Sequence, residues 1–216
     1  AAKRVPRYLK GIISIGLFYR KQSNSEQLVV GYCDSDYAGD TIRRRSTSGY
    51  VFLMSGCPVA WRSKLQRDVA LSSTEAEYLA LSAAVKEAMW IKQLLTECGF
   101  KQGTPMTIFE DNQGCISISH LRRTDDRTKH IDVRFHHTRD QIERGTIRVI
   151  YCPTENMMAD MLTKSICATK LRLSMKKIGM SDILTMRLRE AVEPNSNHLA
   201  RIEVNSAFGL SVTDFL

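Results

Sequence analysis

Residues 28–40, LVVGYCDSDYAGD, carry a short apolar run directly into two acids. Apolar residues bounded by Gly and Asp over this length predict a buried strand, which sets Asp34 near the middle of a sheet. An ionised carboxylate is costly to bury unless a cation or a basic partner compensates it, so one or the other is expected beside Asp34. The plain alternative is that Asp34 and Asp36 only close a strand and open a turn.

Immediately downstream, residues 41–67 hold six basic residues and no acid. Arg43, Arg44 and Arg45 fall in a turn, and Arg62, Lys64 and Arg67 follow the next strands; phosphate contact is the expected use, and a solvated loop the alternative. Residues 49–54 and 59–61 read as two more strands about a tight turn at 55–58, SGCP, so three strands run on as an antiparallel meander. SSTE at 72–75 is a capping-box pattern, with Ser72 as the cap and Glu75 reaching back to it. It opens a helix that runs to about Cys98 and stops at Gly99. The apolar stripe of that helix passes through Ala80, Leu81, Ala84, Ala88, Ile91, Leu95 and Cys98, and stepping back three and four residues lands on Glu77. An acid on the core side breaks the local pattern, and such breaks mark sites; a peripheral glutamate reaching to water is the alternative.

TIFED at 107–111 reads as a strand ending in acids, with a short helix over 112–119, so Asp111 stands where a helix cap also stands. His130, His136 and His137 fall on a helix over 130–143. Adjacent His136 and His137 point about 100° apart, and no Cys or H-E-x-x-H accompanies them, which argues against a histidine metal centre. A strand over 146–151 and a last helix over 155–165, carrying Asp160, complete the pattern.

At 216 residues the chain holds one moderate domain with appendages, or two small domains. Its net charge of +8 and pI near 9.3 favour a polyanionic partner, nucleic acid being the usual one. Six cysteines occur without any C-x-x-C, and they read as reduced core thiols of an intracellular protein. No apolar run is long enough to span a membrane, and no signal peptide opens the chain. The first residue is not Met, which suggests a piece of something longer. Residues 1–21 have helical apolar spacing, 21–26 (KQSNSE) read as a linker, and 167–216 hold a basic run followed by a tail with little pattern.

The element order, three strands and then alternating helix and strand, is an α/β order with an antiparallel start and a βαβ continuation. Acids fall at a strand middle (Asp34), a helix inner face (Glu77), a strand end (Asp111) and a final helix (Asp160). Four carboxylates meeting at one end of a sheet repel one another unless cations bind between them. Oxygen-only ligands suit Mg2+, with Mn2+ as the other candidate. Two such ions about 3.5–4 Å apart promote phosphodiester hydrolysis by activating water and stabilising the leaving oxygen.

GYCDSDYAGD, RRRSTSGYVFLMSG, AWRSKLQ, ALSSTEAEYLAL, EDNQG, RTKHIDVRFHHTRD and YCPTENMMADMLTK follow one another here in the order and spacing of the ribonuclease H domain of copia-type retrotransposon Pol polyproteins, which this chain resembles over residues 27–166. Residues 1–21 are similar to the end of the upstream reverse transcriptase region, and 167–216 form a basic extension to which the resemblance assigns no role. The resemblance implies a ribonuclease H-like fold: a five-stranded mixed sheet with flanking helices. It also implies cleavage of the RNA strand of RNA/DNA hybrids during reverse transcription. The partners implied are the hybrid and the upstream reverse transcriptase, with no membrane and no small-molecule substrate. The place implied is intracellular, in cytoplasmic particles with passage to the nucleus.

Carried over by motif, the catalytic acids and ligands of two Mg2+ ions fall on Asp34, Glu77, Asp111 and Asp160. In the role this implies, Asp34 would be shared by both ions, Glu77 and Asp111 would hold the one at the leaving group, and Asp160 would help position the one at the attacking water. Arg43, Arg44, Arg45, Arg127 and Lys129 grip phosphates, while Asp36 is left between a second-sphere role and none. The chain departs from the family pattern at Tyr37, at LRRTDD over 121–126, and in lacking a loop His before Asp160. An integrase-like transferase is disfavoured because it carries Glu on the last helix. A retroelement fragment that only binds nucleic acid or connects to a polymerase is the alternative from another class.

Overall fold

The computed structural model describes residues 3–19, 28–100, 102–103, 105–121 and 129–183, with the backbone alone for residues 4 and 129–135. Helix α1 (Arg4–Ile12) is followed by strand β1 (Ile15–Leu17). The helix expected over residues 1–21 therefore ends at Ile12. Consecutive β-branched Ile12 and Ile13 weaken helix there, and a strand partner supplied from far along the chain takes over the backbone.

The meander is β2 (Val29–Asp36), β3 (Thr47–Met54) and β4 (Cys57–Leu65), with Asp34 paired to Gly49 and a register shift between Phe52 and Leu53. The expected tight turn at 55–58 is narrower, because Cys57 and Pro58 already belong to β4. Helix α2 (Ser73–Glu97) leads to β5 (Met106–Glu110), parallel to β2. Helices α3 (Gln113–His120) and α4 (Lys129–Glu143) lead to β6 (Ile147–Tyr151), parallel to β5. The last helix expected over 155–165 is a 3-10 turn (Thr154–Asn156) and then one turn of helix, α5 (Asp160–Thr163). Helix α6 (Ala168–Lys177) and strand β7 (Met180–Asp182) follow. The main sheet is five-stranded and mixed, as predicted, and its strand order is β4-β3-β2-β5-β6.

One sheet face lies under α2. The small residues Ala84 and Ala88 bring the helix close, and Leu81 and Val85 pack with Val29, Cys33, Phe52, Met106 and Ile108. Full burial of a side chain such as Phe52 or Leu81 contributes roughly 1.5–3 kcal/mol. The stripe weakens toward the helix end, where Leu95 is half-buried and Cys98 exposed. The opposite face is covered by Met158, Met161, Leu162 and Ile178 against Val30, Tyr32, Val51 and Leu53.

The chain's two flanks meet. Strand β1 pairs antiparallel with β7, the Phe18 N–H donates to the Gly179 carbonyl at 3.2 Å, and the Tyr19 hydroxyl donates to the Pro58 carbonyl at 2.7 Å. Gly179 has φ +75° and touches Cys57 where a side chain would stand, so only glycine fits. None of the six cysteines is in a disulfide: Cys33, Cys57, Cys115 and Cys152 are buried, whereas Cys98 and Cys167 are exposed and are not core thiols.

Candidate active site

Strands β2 and β5 run parallel with Tyr32 beside Phe109, so two residues further on Asp34 stands level with Asp111. Asp34 is fully buried, on the strand face of Val30 and Tyr32. Glu77 reaches the same place from the first turns of α2, where it is 7% exposed, the core-facing register expected from the helical spacing. Ser72 accepts from the Glu75 N–H at 3.1 Å, and Glu75 accepts from the Leu71 N–H at 2.7 Å, one residue short of the expected return to Ser72. Asn112, not Asp111, caps α3, accepting from the Cys115 N–H at 2.8 Å. Asp111 is thereby left to the pocket, where the Thr154 hydroxyl donates to its Oδ2 at 2.7 Å. Asp34, Glu77 and Asp111 each offer a carboxylate oxygen within 4.8 Å of the other two.

Asp160 arrives differently. It opens α5, which packs over β3 where Gly49 has no side chain; a Cβ at Gly49 would lie 2.7 Å from Thr163 Cγ2 and 3.0 Å from Leu162 Cβ. That close approach seats Thr163 against Asp34, to whose Oδ2 its hydroxyl donates. Lys164 Nζ stands between the two acids, 3.2 Å from Asp34 Oδ1 and 2.7 Å from Asp160 Oδ1. Lys170, from α6, takes the other Asp160 oxygen at 2.8 Å. Thus Asp160 is joined to Asp34 through an ammonium, while Glu77 and Asp111 face Asp34 across carboxylate oxygens.

The electrostatics follow from that difference. Burial pushes Asp34 up to about 6, against the pull of the Thr163 hydroxyl and Lys164. Glu77 is driven far above the carboxylate range, by burial first and then by Glu110, Asp34 and Asp111. Burial would raise Asp160 too, but hydrogen bonds from Lys164 and Lys170 outweigh it and hold the group low.

Glu110 was not singled out by the sequence reading. It is fully buried, receives the Cys33 thiol at 3.1 Å and the Asn112 N–H at 3.1 Å, and is raised, chiefly by burial. Period-two alternation contained the signal, since Glu110 shares a strand face with Met106 and Ile108. Thr154, Thr163, Lys164 and Lys170 were missed as well; Thr163 and Lys164 follow Asp160 by three and four residues, but their contact with Asp34 is tertiary.

The trio fits an oxygen-preferring divalent cation. Its donors are all carboxylate oxygens, they already stand together, and Glu77 Oε2 is buried without a hydrogen-bond partner. Among the described residues, the histidines form no such cluster. Asp36 accepts from the Thr47 N–H and so braces the start of β3. Arg43 and Arg44 are exposed in the loop after β2 and Arg45 is half-buried, the loop being pinned by Asp40 accepting from the Ile42 and Arg43 N–H groups at 3.0 and 3.1 Å. Arg127 lies outside the described residues, and Lys129 is described by its backbone alone, at the start of α4. A separate cleft of about 360 Å³ opens between β4 and α2, lined by Arg62, Lys64, Arg67 and Lys86 together with Asp68 and Glu87. Among the described residues no helix is long and apolar enough to cross a membrane.

No protein-family model matches the chain. It is 39% identical over 180 residues to the retrovirus-related Pol polyprotein from transposon TNT 1-94 of Nicotiana tabacum, covering 83% of this chain and 13% of that protein. It is 36% identical over 183 residues to the retrovirus-related Pol polyprotein from transposon RE1 of Arabidopsis thaliana, covering 85% of this chain and 12% of that one. The chain therefore spans about an eighth of the length of these relatives. Among solved structures, the N-terminal RNase H domain of a Mycobacterium tuberculosis protein, fused to maltose-binding protein, aligns with a TM-score of 0.46 at 14% identity, covering 68% of this chain and 96% of that one.

Proposed function

We propose, from the premise that this chain is homologous to a segment of the retrovirus-related Pol polyproteins of plant transposons and has a ribonuclease H-like fold, that it is a nuclease cutting the RNA strand of RNA/DNA hybrids. The observation that carries this reading is the meeting of Asp34, Glu77 and Asp111 within 4.8 Å, from three elements far apart in sequence. In it, Asp34, Glu77 and Asp111 would hold one Mg2+ or Mn2+ ion, and Asp34 with Asp160 a second. Bound there, divalent ions supply Lewis-acid activation of a water and neutralise charge on the leaving oxygen.

The chain's own residues do the rest. Burial keeps water from the inner oxygens of Asp34 and Glu77, Thr163 fixes the rotamer of Asp34, and Thr154 fixes that of Asp111. The exposed guanidinium groups of Arg43 and Arg44 would contact the substrate backbone, with Arg45, Arg127 and Lys129 as further phosphate contacts. Discrimination of RNA would rest on 2′-hydroxyl contacts and groove shape. The reverse transcriptase region that precedes this segment in the family would deliver the hybrid, inside cytoplasmic particles.

The test is cleavage of end-labelled RNA/DNA hybrid, duplex DNA and duplex RNA by the purified chain, with Mg2+ and with EDTA. The expected result is cutting of the hybrid's RNA strand in Mg2+ alone. Binding of all three without cutting would favour a fragment that only holds nucleic acid.

A further inference from the structure

The Asp34–Asp160 side of the pocket is not vacant of charge. Lys164 Nζ contacts both carboxylates, at 3.2 and 2.7 Å, while its side chain remains 40% exposed. The two acids are 0% and 4% exposed, so the acids are fixed and the lysine stem has solvent to move into. A divalent ion ligated by these same oxygens at the roughly 2.0–2.2 Å usual for Mg2+ or Mn2+ cannot share the space with an ammonium. Lys170 differs: it pairs with Asp160 Oδ2, the oxygen Lys164 does not take, and has no ion pair with Asp34 among the described residues. Among the described residues, no ion pair of this kind reaches Glu77 or Asp111.

We propose that Lys164 is a tethered cation that competes with the second divalent ion for the Asp34–Asp160 side, so the pocket fills in order. The first ion enters among Asp34, Glu77 and Asp111, where Glu77 and Asp111 have no ammonium beside them among the described residues. The second enters only by displacing Lys164 toward solvent, and binds more weakly for it. Lys164 thereby holds α5 against β2 in the ion-free protein, keeping Asp160 in place before metal arrives. This inference rests on the reading of the pocket as a two-ion site.

The test is a calorimetric titration with Mn2+, free Mn2+ being followed by electron paramagnetic resonance, on the full chain and on Lys164→Met, Lys164→Arg and Lys170→Met. The parent should show one tight and one weak site. In Lys164→Met the weak site should tighten by about tenfold or more, the scale on which close charge pairs couple, while the ion-free protein melts at a lower temperature. Lys164→Arg, which keeps the charge, should retain the gap between the sites, and Lys170→Met should narrow it less than Lys164→Met. An unchanged or weaker second site in Lys164→Met would overturn the role of Lys164 while leaving the two-ion site intact. Failure of every protein to bind Mn2+ would overturn both.

Discussion

The two sides of the pocket answer the same electrostatic problem in opposite ways. On the β5 side, Asp34, Glu77 and Asp111 crowd together under burial, and Asp34 and Glu77 are pushed toward their neutral forms. On the α5 side, Asp160 keeps its charge because two lysines bracket it. The first arrangement stores an unfavourable interaction that the apolar packing of α2 on the sheet must carry. The second is already neutralised by the fold. A site that must accept foreign cations is better built from the first kind, and a strut that must keep its shape from the second.

The largest effect should come from Asp34, which belongs to both sides. Asp34→Asn should lower Mg2+-dependent hybrid cleavage by about a thousandfold, the factor that roughly 4 kcal/mol of lost transition-state stabilisation gives, with an unchanged circular dichroism spectrum. Retained cleavage would break the assignment.

Next comes pH. Asp34 sits near 6, above its ordinary 3.8, so the folded chain holds that proton more tightly than the unfolded one. The stability this lends is fully present below the unfolded value and is lost as pH rises through about 6. The loss is on the order of 3 kcal/mol. Glu77 and Glu110, both raised, act in the same direction at higher pH, whereas Asp160, held low, loses its contribution only as pH falls through the acid range. Thermal melts in EDTA should therefore fall from pH 5 to 8, and Mg2+ should flatten the trend.

The two sides should also part under neutral substitution. Glu77→Gln should leave the stability of the ion-free protein at about pH 7 nearly unchanged, because burial already holds Glu77 neutral there, while Asp160→Asn should destabilise it by roughly 1–3 kcal/mol by taking a carboxylate from Lys164 and Lys170. Equal losses in urea denaturation would erase the distinction. A comparable cost is expected for Gly49→Ala, about 1–3 kcal/mol from overpacking against Thr163 and Leu162, with cleavage lowered through a displaced Asp160. Smallest, Arg44→Ala should leave single-turnover cleavage intact and reduce the salt dependence of hybrid binding by about one phosphate contact.

Much of this was legible in the sequence because it depends on local periodicity. Asp34 follows from an apolar run ending in acids, Glu77 from counting back along a helical stripe, and the mixed sheet from the order of strands and helices. Asp111 was placed at the right junction, although the cap there proved to be Asn112. What stayed hidden depends on contacts across the sheet. Lys164 meets Asp34 from 130 positions away; its spacing of four from Asp160 was visible, but its reach to Asp34 was not. Thr163 reaches Asp34 only because Gly49 lacks a side chain, a fact of packing. The end of α1 at Ile12 was hidden for the same reason, since its successor strand β1 takes its partner from β7. Glu110 could have been found, because its alternation with Met106 and Ile108 was visible, but acids at a strand end read more readily as a turn.

The most direct measurement is anomalous diffraction from crystals of the chain soaked in Mn2+. The account predicts a peak ligated by Asp34, Glu77 and Asp111 at low Mn2+, and a second peak between Asp34 and Asp160, with Lys164 swung out, at high Mn2+. Mn2+ bound elsewhere, with these four carboxylates left bare at every concentration, would contradict it.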